Sequence, residues 1–357
     1  MHNPCGIFNE TYEQDLAIFR TKTQWALLFG AIALAFAAPL FLNSYLVGIL
    51  ILIFTTVIVL HGLNILTGYC GQISLAQAAF AAVGAYTSAV LCHYVPQLAW
   101  FPEWFKGIFN FWLTVPIAGL TAGVIGVLFG IPALRLRGFY LIMSTLAAHF
   151  IIIYAITRTI GTPARTLPAP QLGGLLLNTS ETYYYVVLVA LIALTYFAKN
   201  LVRTRFGRAW IAIRDNDLAA EVMGISLFRY KLSAFFVGCL FAGIGGALWA
   251  HYTRSITPEY YHLTYGLWYL GYLIVGGMGA TVGPFFGAGL LIILTEVLAQ
   301  IISVLSGTFF GIVSYLSAAR EVLFGLVVVM FMVLEPRGIA HRWQILKAYY
   351  RLFPYAH

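Results

Sequence analysis

The chain has 357 residues, 61% of them apolar and only 9% charged, with a net charge of +8 and a mean hydropathy of +0.88. Soluble domains sit near roughly 45–50% apolar and about 25% charged, so a soluble enzyme is excluded and an all-α, polytopic integral membrane protein is expected. The positive charge is then a topology signal and not a nucleic-acid footprint, and the long unbroken apolar runs do not fit the short alternations of a β-barrel.

Residues 1–22 read as a cytoplasmic tail without a cleavable signal sequence. At about 20 residues per crossing, the apolar runs predict about ten transmembrane helices. They fall near 25–42, 45–66, 74–94, 111–134, 139–157, 183–198, 232–252, 263–275, 285–304 and 321–334, with 306–317 ambiguous between an interfacial segment and a half-helix. Gly68, Cys70 and Gly71 interrupt the chain after the second run, and a loop with Pro96, Trp100, Pro102 and Trp104 has interfacial composition. Gly119, Gly123, Gly126 and Gly130 form two GxxxG pairs, which let helix backbones approach closely. Residues 276–284 (GGMGATVGP) read as a tight turn, and 341–357 as a second cytoplasmic tail.

With the N-terminus inside, fifteen cations fall on the cytoplasmic side, Arg135, Arg337 and Lys347 among them, against four outside: Lys106, Arg158, Arg165 and Arg254. That bias places both termini in the cytoplasm. The four cysteines (Cys5, Cys70, Cys92, Cys239) are scattered and imply neither a disulfide framework nor a metal site. No GxxxxGK[ST], HExxH or GxSxG occurs, so no ATP-binding loop or hydrolase centre is expected on this chain. His61, His149 and Glu296 are the main titratable groups inside apolar runs. Glu296 is expected to pair with Arg320 near the outer face, since an unpaired carboxylate at membrane depth is costly. The abundant Tyr and Phe read as packing and lipid-facing surface.

The one long polar island is 203–231, RTRFGRAWIAIRDNDLAAEVMGISLFRYK, within a cytoplasmic loop of about 200–230. It carries Arg203, Arg205, Arg208, Arg214, Arg229 and Lys231 beside Asp215, Asp217 and Glu221. Ala219 and Ala220 are followed by Gly224, small residues that let a helix lie in a groove and then turn sharply. At this point the chain resembles the membrane permeases of ABC importers, whose coupling loop carries E-A-A-x-x-x-G; Leu218 stands where that pattern has its glutamate. Four further stretches carry the resemblance: 62–91 (GLNILTGYCGQISLAQAAFAAVGAYTSAVL), 207–250, 272–291 (YLIVGGMGATVGPFFGAGLL) and 335–339 (EPRGI). Together they resemble the LivM type of branched-chain amino-acid permease over most of residues 45–340, with 23–340 as the permease domain.

The resemblance implies a non-catalytic subunit of an ATP-driven importer in a bacterial inner membrane. Its implied partners are a homologous LivH-like permease, two cytoplasmic ATPase subunits that hold the ATP and Mg, and a periplasmic substrate-binding protein. No cofactor is implied on this chain. Arg208, Arg214, Asp217, Ala219, Ala220, Glu221 and Gly224 are then the coupling candidates. Gly68, Gly71, Gln72, Ser74, Gln77, Tyr86 and His149 are the candidates for the translocation path, with Gln72 and Gln77 expected to face the sister permease. Left open are a tight turn capped by Ser74 in place of a path, a hydrogen-bonding role for His149, and urea, short amides or aromatic acids as cargo. A secondary transporter or channel, with the island a plain loop, is the reading from another class.

Overall fold

A computed structural model describes residues 22–94, 111–136, 138–160, 165–172, 175–176, 178–306 and 316–352. The N-terminal tail before residue 22, Cys5, the loop of Pro96 to Trp104, Lys106, Arg137 and residues 307–315 of the ambiguous stretch 306–317 lie outside these. Among the described residues the regular structure is helical apart from two antiparallel pairs of two-residue strands, β1 (Arg165–Thr166) with β4 (Ser255–Ile256) and β2 (Gln171–Leu172) with β3 (Leu175–Leu176).

The helices are α1 (Lys22–Phe41), α2 (Ser44–Leu63), a π-helical turn (Asn64–Tyr69), α3 (Gln77–Tyr94), α4 (Thr114–Ala133), α5 (Phe139–Ile160) and α6 (Ser180–Arg203). Two short helices follow, α7 (Arg205–Asp215) and α8 (Asp217–Val222). The chain then forms α9 (Leu227–Thr253), a 3-10 turn (Pro258–Tyr261), α10 (Leu263–Gly276), α11 (Gly283–Ser306), α12 (Leu316–Leu334) and α13 (Ile339–Leu352). Six of these segments are long and apolar enough to cross a membrane alone, and α12 with α13, bent by 45°, makes up to seven. The expected ten crossings therefore also need α1, α3 and α10. α10 has 14 residues. The first turns of α3 carry Gln77 and a run of alanines that are buried in the bundle, so it has no need of lipid-grade hydropathy. The third helix starts at Gln77 and not near 74, because 70–76 is irregular.

α9 is the hub, packed along α2, α3 and α4. Small residues make this possible. A Cβ placed on Gly84 of α3 would lie 2.1 Å from the Gly243 carbonyl oxygen of α9, and one on Gly246 would lie 2.0 Å from the Ala81 oxygen. The GxxxG pairs of α4 serve the same crossing: Gly119 faces Ile244, and Gly126 faces Cys239. With no solvent force between helices in lipid, close packing and interhelical hydrogen bonds hold the bundle. One such bond runs from the buried Tyr183 hydroxyl on α6 to the Leu248 carbonyl on α9, at 2.6 Å. Tyr183→Phe should lower the detergent-solubilised stability by about 1 kcal/mol, the scale of such bonds in membrane bundles, read as a small drop in melting temperature.

The described loops named below sort to two ends. Contacts among the π-turn, α7, the 276–284 turn and residues 337–340 gather the cation-rich segments at one end. At the other end β1 meets β4, and Arg254 donates to the Asn178 side chain at 2.6 Å. This is the separation that the cation bias predicts for a cytoplasmic and an outer face.

Candidate functional site

The polar island folds as two helices broken at Asn216, whose backbone is extended (φ −158, ψ 107). Thr204 caps α7 by accepting from the Phe206 N–H at 3.3 Å, and the Asn216 side chain caps α8 by accepting from the Ala219 N–H at 3.0 Å. These are the side-chain oxygens that helix N-termini select. Gly224 closes α8 with φ +82, a left-handed turn in which the Ile225 N–H donates to the Ala220 carbonyl at 3.0 Å. A side chain there would meet open space, so the backbone angle alone demands glycine. Buried Trp210 anchors α7, its indole N–H donating to the Tyr230 carbonyl at 2.9 Å and reaching Ser233 at 3.2 Å. Trp210 is not among the sequence candidates, though a tryptophan inside a polar segment is the signal for such an anchor.

The seven coupling candidates divide by exposure. Arg208, Arg214, Ala219, Glu221 and Gly224 are exposed. Asp217 is half-buried and lies 3.8 Å from Lys231. Ala220 is 4% exposed and packed into the core, so it cannot touch a partner directly; on a helix this short, one face must close on the membrane body. The side chains that stand outward are apolar: Leu218, Val222 and Met223 are 62%, 87% and 81% exposed.

Arg214, with 40% of its side chain exposed, reaches inward with one nitrogen. Its Nη1 donates to the Gly68 carbonyl at 2.7 Å, while Nε and Nη2 hold Asp215 at 3.2 Å. Gly68 belongs to the π-turn, a helical form that clusters at functional sites. The same turn is tied to the 276–284 loop by Asn64, whose Nδ2 donates to the Ala280 carbonyl at 2.9 Å and whose Oδ1 accepts from the Gly279 N–H at 2.8 Å. Gly279 has φ +75, and a Cβ on it would stand 2.9 Å from Arg214 Nη1. Three segments distant in sequence thus meet at one guanidinium. Cys70 next to this junction is buried, and burial pushes its thiol up to about 12. It should therefore stay unlabelled by maleimides at neutral pH.

The path candidates lie deeper than expected. Gly71 is exposed, but Gln72, Ser74, Gln77, Tyr86 and His149 are between 0 and 3% exposed. Gln77 Nε2 donates to the Gly238 carbonyl of α9 at 3.0 Å. Gln72 and Gln77 are thus enclosed by their own chain and do not face outward: the irregular 70–76 segment folds back so that the Gln72 N–H donates to the Leu66 carbonyl at 2.9 Å, and Gln77 opens α3 against α9. Ser74 accepts from the Ala76 N–H at 3.4 Å, a local turn contact. His149 packs edge-on against Phe150. Among titratable groups in the apolar runs, His61 meets Thr195 at 3.1 Å, and His251, which the sequence did not single out, meets Ser88 at 2.7 Å.

None of these path candidates lines the cavity of about 350 Å³ that opens between α2, α9, α10 and α11. Its wall collects the rings of Trp249, Tyr261, Tyr265, Trp268 and Tyr269 with the side chain of Glu296. Glu296 accepts a hydrogen bond from the Tyr45 hydroxyl at 2.9 Å. The side chain of its expected partner, Arg320, lies outside the described residues. The aromatic residues are therefore not all packing and lipid surface.

The family model described as "Branched-chain amino acid transport system / permease component" matches residues 45–334. The high-affinity branched-chain amino acid transport system permease protein LivM of Escherichia coli (strain K12) is 32% identical over 306 residues, covering 78% of this chain and 69% of that protein. Its counterpart in Salmonella typhimurium is 31% identical with the same coverage. A probable branched-chain amino acid transport permease protein LivM of Methanocaldococcus jannaschii is 22% identical over 232 residues, covering 64% and 67%. No solved structure matches the chain.

Proposed function

We propose a function from one premise: the chain belongs to the branched-chain amino acid transport system permease family. It is a LivM-type permease, an all-α protein of the membrane. Beyond that, it works as the non-catalytic half of an ATP-driven importer in the bacterial inner membrane. It pairs with a homologous permease, receives branched-chain amino acids from a periplasmic binding protein, and takes its energy from two cytoplasmic ATPase subunits. ATP and Mg belong to those subunits.

The observation that carries this reading is the pairing of an outward apolar face with an inward charged link on one segment. Leu218, Val222 and Met223 offer a partner an apolar knob, and Arg214, near the end of the preceding helix α7, binds the π-turn at the inner end of α2. A push on α8 therefore has a short path into the membrane helices. Charge-assisted bonds such as that of Arg214 to Gly68 are roughly twice as strong as neutral ones. Arg214→Ala should leave the assembly with its ATPases intact and basal ATP hydrolysis within about twofold of normal, while uptake falls about tenfold or more, on the scale of an allosteric coupling of about 1–3 kcal/mol. Arg214→Lys, a point charge without the fork, should restore part of it. Normal uptake in the alanine variant would show that the link is not used.

A further inference from the structure

Glu296 sits on α11 well away from both helix ends, on the outer half of the bundle by the chain direction. An ionisable group at that depth is a functional-site candidate by default. Three observations say what it faces. Among the described residues it is the one charged side chain on the wall of the 350 Å³ cavity, whose size falls in the range of small-ligand sites. The wall is otherwise mostly aromatic and aliphatic, and three of its threonine hydroxyls are engaged by backbone: Thr55 donates to the Ile51 carbonyl at 2.9 Å, Thr253 to the Trp249 carbonyl at 3.2 Å and Thr295 to the Ile292 carbonyl at 2.8 Å. Among the described residues the Tyr45 hydroxyl engages Glu296 through Oε2, and a carboxylate has further lone pairs to offer.

Aromatic faces carry negative quadrupole charge, so rings and a carboxylate around one space select a cation. Leu52, Val59 and Ile292 add an aliphatic side to the wall. We propose that this cavity binds a small primary ammonium compound with an aliphatic chain, the ammonium held by Glu296 and faced by the rings of α10. Taken with the permease function, on which this identification rests, the ligand is the transported amino acid, its ammonium end read by this chain after release from the binding protein. Tyr261 joins the cavity to the buried cluster that contains Tyr86, so the sequence-predicted stretch borders the site without lining it.

The test uses cysteine chemistry in the assembled importer, in a background with all four native cysteines replaced. Thr295→Cys and, independently, Thr56→Cys place a thiol on the cavity wall. A cationic methanethiosulfonate should react at least tenfold faster than an anionic one of the same size, and Glu296→Gln should remove that preference. Leucine and leucine methyl ester should slow the reaction, and 4-methyl-2-oxopentanoate, which lacks the ammonium, should not. Equal rates for the two reagents, an anionic preference, or equal protection by the oxoacid would each overturn the proposal. The labelling requires neither uptake nor ATP. An importer that fails to move leucine but keeps the charge preference and the protection would therefore refute the assigned transport and not the site.

Discussion

Gly84→Val should give no folded protein in the membrane, or an aggregate on extraction. The new Cβ would stand 2.1 Å from the Gly243 oxygen and 2.4 Å from the Gly243 Cα, both backbone atoms of α9 that no rotamer change can move. α3 and α9 would have to move apart at their crossing. Overpacking a tight core costs about 1–3 kcal/mol and occasionally more. Here the neighbouring crossing at Gly246 and Ala81 is just as close, so the separation would undo several contacts together. The control is Gly289→Ala, in the interior of α11 where nothing lies within 4 Å, which should leave expression and monodispersity unchanged. Size-exclusion profiles of the two variants in detergent would decide. A monodisperse Gly84→Val protein would mean that the α3–α9 crossing is looser than described.

Replacing Val222 and Met223 together by aspartate should abolish co-purification of the ATPase subunits while the permease itself stays folded. Both side chains are more than 80% exposed, so their loss leaves no internal cavity. If they fill a pocket on a partner, each is an anchor of the kind that costs about 2 kcal/mol or more to truncate. Burying two unpaired carboxylates in the same pocket adds a further penalty. A loss of affinity of about a thousandfold follows from roughly 4 kcal/mol. Uptake should fall to background. Unchanged recovery of the ATPases would place their docking elsewhere on the cytoplasmic face.

Much of the architecture was legible because membrane helices announce themselves. Long apolar runs appear in order, and Arg and Lys collect on one side, since both follow from the cost of placing charge in hydrocarbon. α10 was legible as a run although it is too short to pass as a crossing by itself, whereas the boundary of α3 was misplaced because Ser74 and Leu75 belong to the irregular segment. The coupling segment was visible as polar sequence between apolar runs, and Gly224 as its turn. Which of its faces points outward was not visible: alanines at 219 and 220 look alike in sequence, but one is exposed and the other is packed. Contacts across long separations were out of reach for the same reason. Arg214 meets Gly68 146 residues away, and Tyr45 meets Glu296 251 residues away. No local pattern encodes either, so the aromatic cavity could not be assembled from its scattered rings.

We propose that this chain conducts solute only as part of an ATP-driven assembly worked through α7 and α8. The most direct measurement is uptake of radiolabelled leucine into proteoliposomes that hold this chain with its sister permease, the ATPases and the binding protein, with ATP supplied to the ATPase side. Uptake should require ATP and every subunit, and the Val222/Met223 double aspartate variant should abolish it. Uptake by this chain alone, driven by an ion gradient and indifferent to ATP, would contradict the account.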